Sequence, residues 1–183
     1  MGIHHVALAT SDLHATHAFY TEAMGFDVAK VVTAPTPGPG DGWARHVFYD
    51  TGSTGMIAFW DIHDDTFPEI KGAMSRSVGL PEWVNHLAFH ATDDAHYEAA
   101  RKRWAELGLD VVEVDHEFCR SIYTTDPNGT MVEWCQDSRD LDDSDRSAGL
   151  AALDVAEPTE LDPAPHPEFL PGDRTKRPAW VTW

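Results

Sequence analysis

The chain has 183 residues, 42% of them hydrophobic, and a formal net charge of −18. That is enough apolar content for one domain, or for two small modules sharing a core. The charge has the wrong sign for binding nucleic acid or an anionic membrane, and no local basic patch offsets it. Two cysteines, Cys119 and Cys135, with no signal peptide and no long apolar run, predict a reduced cytoplasmic protein in which a disulfide is not required.

In chain order, Ile3 to Thr10 alternates as a strand, and Ser11-Asp12 offers an N-cap for an amphipathic helix over residues 13–24 that Gly25 closes. Phe26 to Val32 predicts a second strand. The stretch from Thr33 to Gly42 is too rich in Pro and Gly to be anything but a loop. Strands near Trp43 to Asp50 and Gly55 to Trp60, separated by Thr51-Gly52-Ser53, complete a β-α-β-β-β order.

The order then repeats. Val84 to His90 matches the first strand, with His86 where His5 stood and Asp93 where Asp12 stood, both at an offset of 81. A helix over residues 94–107 ends at Gly108, and Gly108-Leu109-Asp110-Val111 mirrors Gly25-Phe26-Asp27-Val28. Asp126-Pro127-Asn128-Gly129 is a turn with a mechanism, because proline presets φ while Asn and Gly tolerate the left-handed conformation. The strand beyond it, Met131 to Cys135, puts Glu133 on the face of Met131 and Cys135, and such a carboxylate needs a partner. The fold class is therefore α+β, with module 1 over residues 1–62, a linker over 63–83, module 2 over 84–137 and an acidic, proline-rich tail over 138–183. A short helix around Ala148 to Val155 is expected in the tail, and the closing Ala179-Trp180-Val181-Thr182-Trp183 is apolar enough to dock.

Two modules related by a pseudo-twofold place four equivalent positions toward one cavity: His5, Ala58, His86 and Glu133. Three can bind a metal. Two imidazoles and one carboxylate leave coordination positions open, the composition associated with non-haem Fe(II) oxygen chemistry, although Mn(II) accepts the same donors. Eleven histidines are present; His5 and His86 stand out because they occupy equivalent places in the repeats. His4 should point to the opposite face, and His90 lies further along its strand.

The paired modules resemble the vicinal oxygen chelate superfamily, which includes glyoxalase I, methylmalonyl-CoA epimerase, extradiol dioxygenases and bleomycin- or fosfomycin-resistance proteins. The resemblance covers about residues 3–136 and implies an incomplete barrel. Val114-x-His116, Ile122-Tyr123, Asp126-Pro127-x-Gly129 and Glu133 are similar to the extradiol signature at every specified position. The resemblance implies that His5, His86 and Glu133 hold Fe(II), that His116 and Tyr123 are catalytic, and that a small catechol-like aromatic is opened with O2. A homodimer is expected, with the site built in one chain or by exchange of modules. His46 and His63 are candidates for a further pocket histidine. Two other functions are open on the same fold: a metal-dependent lyase or isomerase, against which Ala58 counts unless a bulge brings in Asp61, and a non-catalytic protein that sequesters a cationic drug.

Overall fold

The computed structural model describes residues 2–37, 40–52, 55–70, 73–159 and 161–182. Gly38 and Pro39 of the expected loop, Ser53 of the expected turn, Lys71 and Gly72 of the linker, and Trp183 lie outside them. Module 1 contributes β1 (His5–Thr10), α1 (Leu13–Ala18), β2 (Asp27–Pro35), β3 (Trp43–Asp50) and β4 (Met56–His63). A short helix α2 (Met74–Ser77) interrupts the linker. Then come β5 (His86–His90), α3 (Asp94–Glu106), β6 (Val111–Asp115), β7 (Cys119–Thr125) and β8 (Met131–Asp137). The tail adds α4 (Asp143–Leu153), β9 (Glu168–Leu170) and a 3-10 turn at Arg174–Lys176.

The strands form two open sheets, in the orders β1-β4-β3-β2 and β5-β8-β7-β6-β9. In each, the first strand of the module runs parallel to the last. The registers match: His5 lies opposite Met56 and Ala7 opposite Ala58, as His86 lies opposite Met131 and Ala88 opposite Glu133. Ala58 is thus the structural counterpart of Glu133, as the repeat predicts.

Local chemistry sets the boundaries. Asp12 caps α1 through Ala15 N–H at 2.9 Å, and Asp93 caps α3 through His96 N–H at 2.8 Å. α1 does not continue regularly to Met24; from Phe19 to Ala23 it widens into a π-helical turn that buries Phe19, Tyr20 and Ala23 completely. Gly108, at φ 65°, ends α3 with its backbone against the tail at Asp173, where a Cβ would meet the Asp173 carbonyl oxygen at 2.2 Å. The predicted loop from Thr33 begins later than expected, since β2 runs on to Pro35, opposite Trp43. β2 is an edge strand, where a missing N–H costs little.

One core joins the modules through their helix-bearing faces. Phe26 packs edge-on against Phe89 at 5.0 Å and against Trp134 at 5.8 Å. Trp104, fully buried, donates its indole N–H to Ala23 O at 3.0 Å. The Asp126-Pro127-Asn128-Gly129 turn is part of this joint. Asp126 accepts from Asn128 N and Thr130 N at 2.9 and 2.7 Å, and from the Tyr20 hydroxyl of module 1 at 3.1 Å. Burial pushes Asp126 above the ordinary carboxylate range, against the pull of these hydrogen bonds.

The tail differs from expectation. Its helix begins at Asp143, five residues before Ala148, because Asp142 and Asp145 form a capping box. Arg139 then ties that helix to the β6–β7 turn, with 2.8 Å to Glu117 and 2.7 Å to Asp145. Glu117 holds a left-handed φ of 74° in that turn, its N–H bonded to Asp115 at 2.9 Å. The short strand β9 was not evident in the sequence; it adds to β6 through Val111–Leu170, Val112–Phe169 and Glu113–Glu168.

Candidate functional site

The face of the second sheet turned away from α3 carries the candidate residues. β5 supplies His86 and Ala88, β8 supplies Met131 and Glu133, and β7 supplies Ser121 and Tyr123, with Tyr123 directly opposite Glu133. His86 Nε2 and Glu133 Oε2 are 3.0 Å apart. Glu133 is 4% exposed. Its other oxygen accepts the Ser121 hydroxyl at 2.5 Å. Ser121 escaped the sequence reading, although its place two residues before Tyr123 on an alternating strand puts it on this face.

The tautomer of His86 follows from its second contact. Nδ1 lies 2.8 Å from the Trp83 carbonyl oxygen, which can only accept, so Nδ1 carries the proton. In the neutral ring Nε2 then offers a lone pair to a carboxylate that also only accepts. Two acceptors at that distance repel unless a cation lies between them, either a proton on Nε2 or a metal ion shared by both. A ring anchored through its far nitrogen to a backbone carbonyl is the usual support for a metal-binding imidazole. The separation is also that of two donors at right angles on one ion with bonds of about 2.1 Å. Either cation satisfies the pair, so His86 and Glu133 offer two donors that a divalent metal could use, with no third His, Cys, Asp or Glu beside them among the described residues.

His5 stands elsewhere, in the first sheet. Its Nδ1 is 2.8 Å from Nδ1 of His4, and its ring meets Phe48 at 5.4 Å and His46 at 6.2 Å. Among the described residues no group of three His, Cys, Asp or Glu side chains comes together, so His5 does not join His86 and Glu133. His46 is the residue of interest beside His5. It is buried, stacks on Trp60 at 3.8 Å, and leaves Nε2 without a hydrogen-bond partner. Burial, and secondarily the neighbouring His5, lowers its pKa, favouring the neutral ring. His63 is occupied, bonded to Asp61 at 2.9 Å and stacked on Trp43 at 4.1 Å. Asp61 is held by Arg45 as well, and β4 keeps an unbroken register with β1 and β3, so no bulge turns Asp61 to the face of Ala58. His90 pairs with Asp137 at 3.6 Å.

His116 and Tyr123 meet beside the His86–Glu133 pair. His116 Nε2 is 2.8 Å from the Tyr123 hydroxyl, and the Tyr123 ring is 6.1 Å from that of His86. Burial, reinforced by the nearby Glu133 charge, pushes the Tyr123 phenol well above its ordinary range, so it keeps its proton. A cavity of about 430 Å³ opens over these residues, walled by Trp83, Val112, Val114, Met131, Pro165 and Pro167. That volume suits a small organic ligand. Cys119 and Cys135 are free and lie further along the same strands; burial and the Cys135 thiol push Cys119 up to about 12.

A family model described as the Glyoxalase/Bleomycin resistance protein/Dioxygenase superfamily matches residues 2–134. The chain belongs to this superfamily. Its fold is similar to that of a glyoxalase/bleomycin resistance protein/dioxygenase domain from Frankia sp. EAN1pec, at 19% identity and a TM-score of 0.55 over 75% of this chain and 98% of that one. It is also similar to TnmS3, an antibiotic-binding protein from Streptomyces sp. CB03234, at 21% identity and a TM-score of 0.50 over 75% and 97% of the two chains. No curated protein matches the chain. Superfamily membership accounts for the paired modules. The tail, which supplies Pro165 and Pro167 to the cavity, lies beyond the matched residues.

Proposed function

We propose that this superfamily member is an Fe(II)-dependent ring-cleaving dioxygenase acting on a catechol-like aromatic with O2. The observation that carries the reading is the hydrogen-bonded His116–Tyr123 pair, 2.8 Å apart and lining the same apolar cavity as His86, whose Nε2 is 3.0 Å from Glu133. His86, Glu133 and His5 would hold the metal, with His5 brought in within the chain or from a second copy in a homodimer. Iron or manganese there supplies coordination positions for two vicinal oxygens and for O2.

The chain's own groups do the rest. The apolar walls hold the ring and exclude water, which strengthens each polar interaction inside. Tyr123 can take a ligand hydroxyl proton on Oη while its own proton passes to His116 Nε2. The phenol thus never ionises, as its raised pKa requires, and His116 holds the proton for later return. Trp83 O and Ser121 keep His86 and Glu133 oriented.

One observation favours a second reading, a protein that binds a small molecule without turning it over: His5 stands apart from His86 and Glu133. Lyase or isomerase chemistry has less support, since buried Ala58 offers no fourth donor. The test is oxygen uptake by anaerobically purified, Fe(II)-loaded protein with alkyl catechols, repeated with His116→Ala. The proposal expects uptake, and a fall of about 10²–10⁴-fold in the variant with iron retained. Ligand binding without any uptake would leave the binding-protein reading.

A further inference from the structure

The tail is part of the cavity wall, and its chemistry restricts what the cavity accepts. Pro165 and Pro167 line the cavity with Trp83, Val112, Val114 and Met131, and the polar groups are confined to His86, His116 and Tyr123. No Lys or Arg is among the described lining residues. A ligand carboxylate set against these apolar walls would be desolvated with no Lys or Arg side chain there to pair it.

The tail is held before and after the proline segment. Upstream, α4 is held to the β6–β7 turn by Arg139. Downstream, β9 pairs with β6, Gly172 N–H bonds Asp110 at 2.8 Å, and Trp180 donates to Glu22 at 2.9 Å while its ring meets Phe19 at 6.0 Å. Alternate prolines between these anchors restrict the backbone, so the wall is preorganised rather than assembled around a ligand.

We propose that the segment from Leu161 to Pro167 is a specificity strap that, with Trp83, selects neutral aromatics carrying an apolar substituent and rejects carboxylated ones. The inference rests on the cavity being the substrate site of the reading above, and binding tests it apart from turnover. Titration calorimetry of the metal-loaded full chain under anaerobic conditions would compare 4-ethylcatechol with 3,4-dihydroxybenzoate. The expected result is at least about tenfold tighter binding of 4-ethylcatechol. Pro165→Gly combined with Pro167→Gly, which leaves β9 and Trp180 in place, should weaken 4-ethylcatechol about three- to tenfold, with the circular dichroism of the folded chain retained at the temperature of the titration. Pro167→Arg should recover binding of 3,4-dihydroxybenzoate by placing a cation at the wall. Equal affinities for the two ligands, or no binding of either, would overturn the proposal. So would a double-glycine variant that binds 4-ethylcatechol as the unaltered chain does. Binding with the expected preference but no oxygen uptake would instead overturn the dioxygenase reading and leave the strap standing.

Discussion

Replacing Glu133 with glutamine separates the charge of the carboxylate from its shape. In the unaltered chain Glu133 lies 3.0 Å from His86 Nε2, is 4% exposed and is held by Ser121 at 2.5 Å. Two unit charges at that distance attract by about 5 kcal/mol at an effective dielectric of about 20, and the cost of desolvating the carboxylate offsets roughly half. Counting one unit of charge on the bound ion, Glu133→Gln should weaken divalent-metal binding by about 2–3 kcal/mol, or about 30- to 150-fold in Kd. Folding without metal should respond differently. The glutamine N–H2 can donate to His86 Nε2, so the apo variant should match or slightly exceed the unaltered chain in urea, whereas Glu133→Ala leaves His86 Nε2 and the Ser121 hydroxyl without that partner. The assay is calorimetric titration of chelator-stripped protein with Fe(II) or Mn(II), beside urea unfolding of the same samples. Metal affinity retained within threefold in Glu133→Gln would refute the assignment of this pair as metal donors.

Tyr123→Phe removes the hydroxyl bonded to His116 Nε2 and should slow turnover about 10- to 100-fold without loss of metal; unchanged turnover would remove the phenol from the proton path. Asp126→Ala leaves the Tyr20 hydroxyl and the Asn128 and Thr130 N–H groups without their acceptor. A loss of about 3–5 kcal/mol in urea unfolding is expected, and a loss under about 1 kcal/mol would show that the turn does not join the modules. Tyr20, Tyr49 and Tyr97 are fully buried, and burial raises all three phenols, Tyr49 to about 12. Unfolded tyrosines release protons near pH 10 while the folded ones hold theirs, so stability is full below about pH 10 and falls as pH rises toward 12. The slope is about 1.4 kcal/mol per pH unit for each tyrosine. Phenolate absorbance should therefore appear together with loss of circular dichroism; reversible titration near pH 10 in a folded chain would contradict this.

What the sequence determined by itself is what depends on near neighbours. Asp12 and Asp93 announce helix starts because a capping carboxylate acts on an N–H three residues away, and strand alternation puts Glu133 on the face of Met131 and Cys135. The repeat register identified Ala58 as the counterpart of Glu133, since β-pairing conserves spacing through both modules. Errors came where local preference meets tertiary context. Thr33 to Pro35 joins β2 because an edge strand tolerates proline, and the tail helix starts at Asp143 because two aspartates cap it. Only the tertiary structure decided which groups touch. The carbonyl of Trp83 fixes the His86 tautomer, Ser121 holds Glu133, and His46 stands beside His5 in the other sheet. Pro165 and Pro167, just before β9, wall the cavity from more than forty residues beyond His116. Such contacts depend on how two sheets and a returning tail are packed, and neither the spacing nor the hydrophobic pattern of any single segment carries that information.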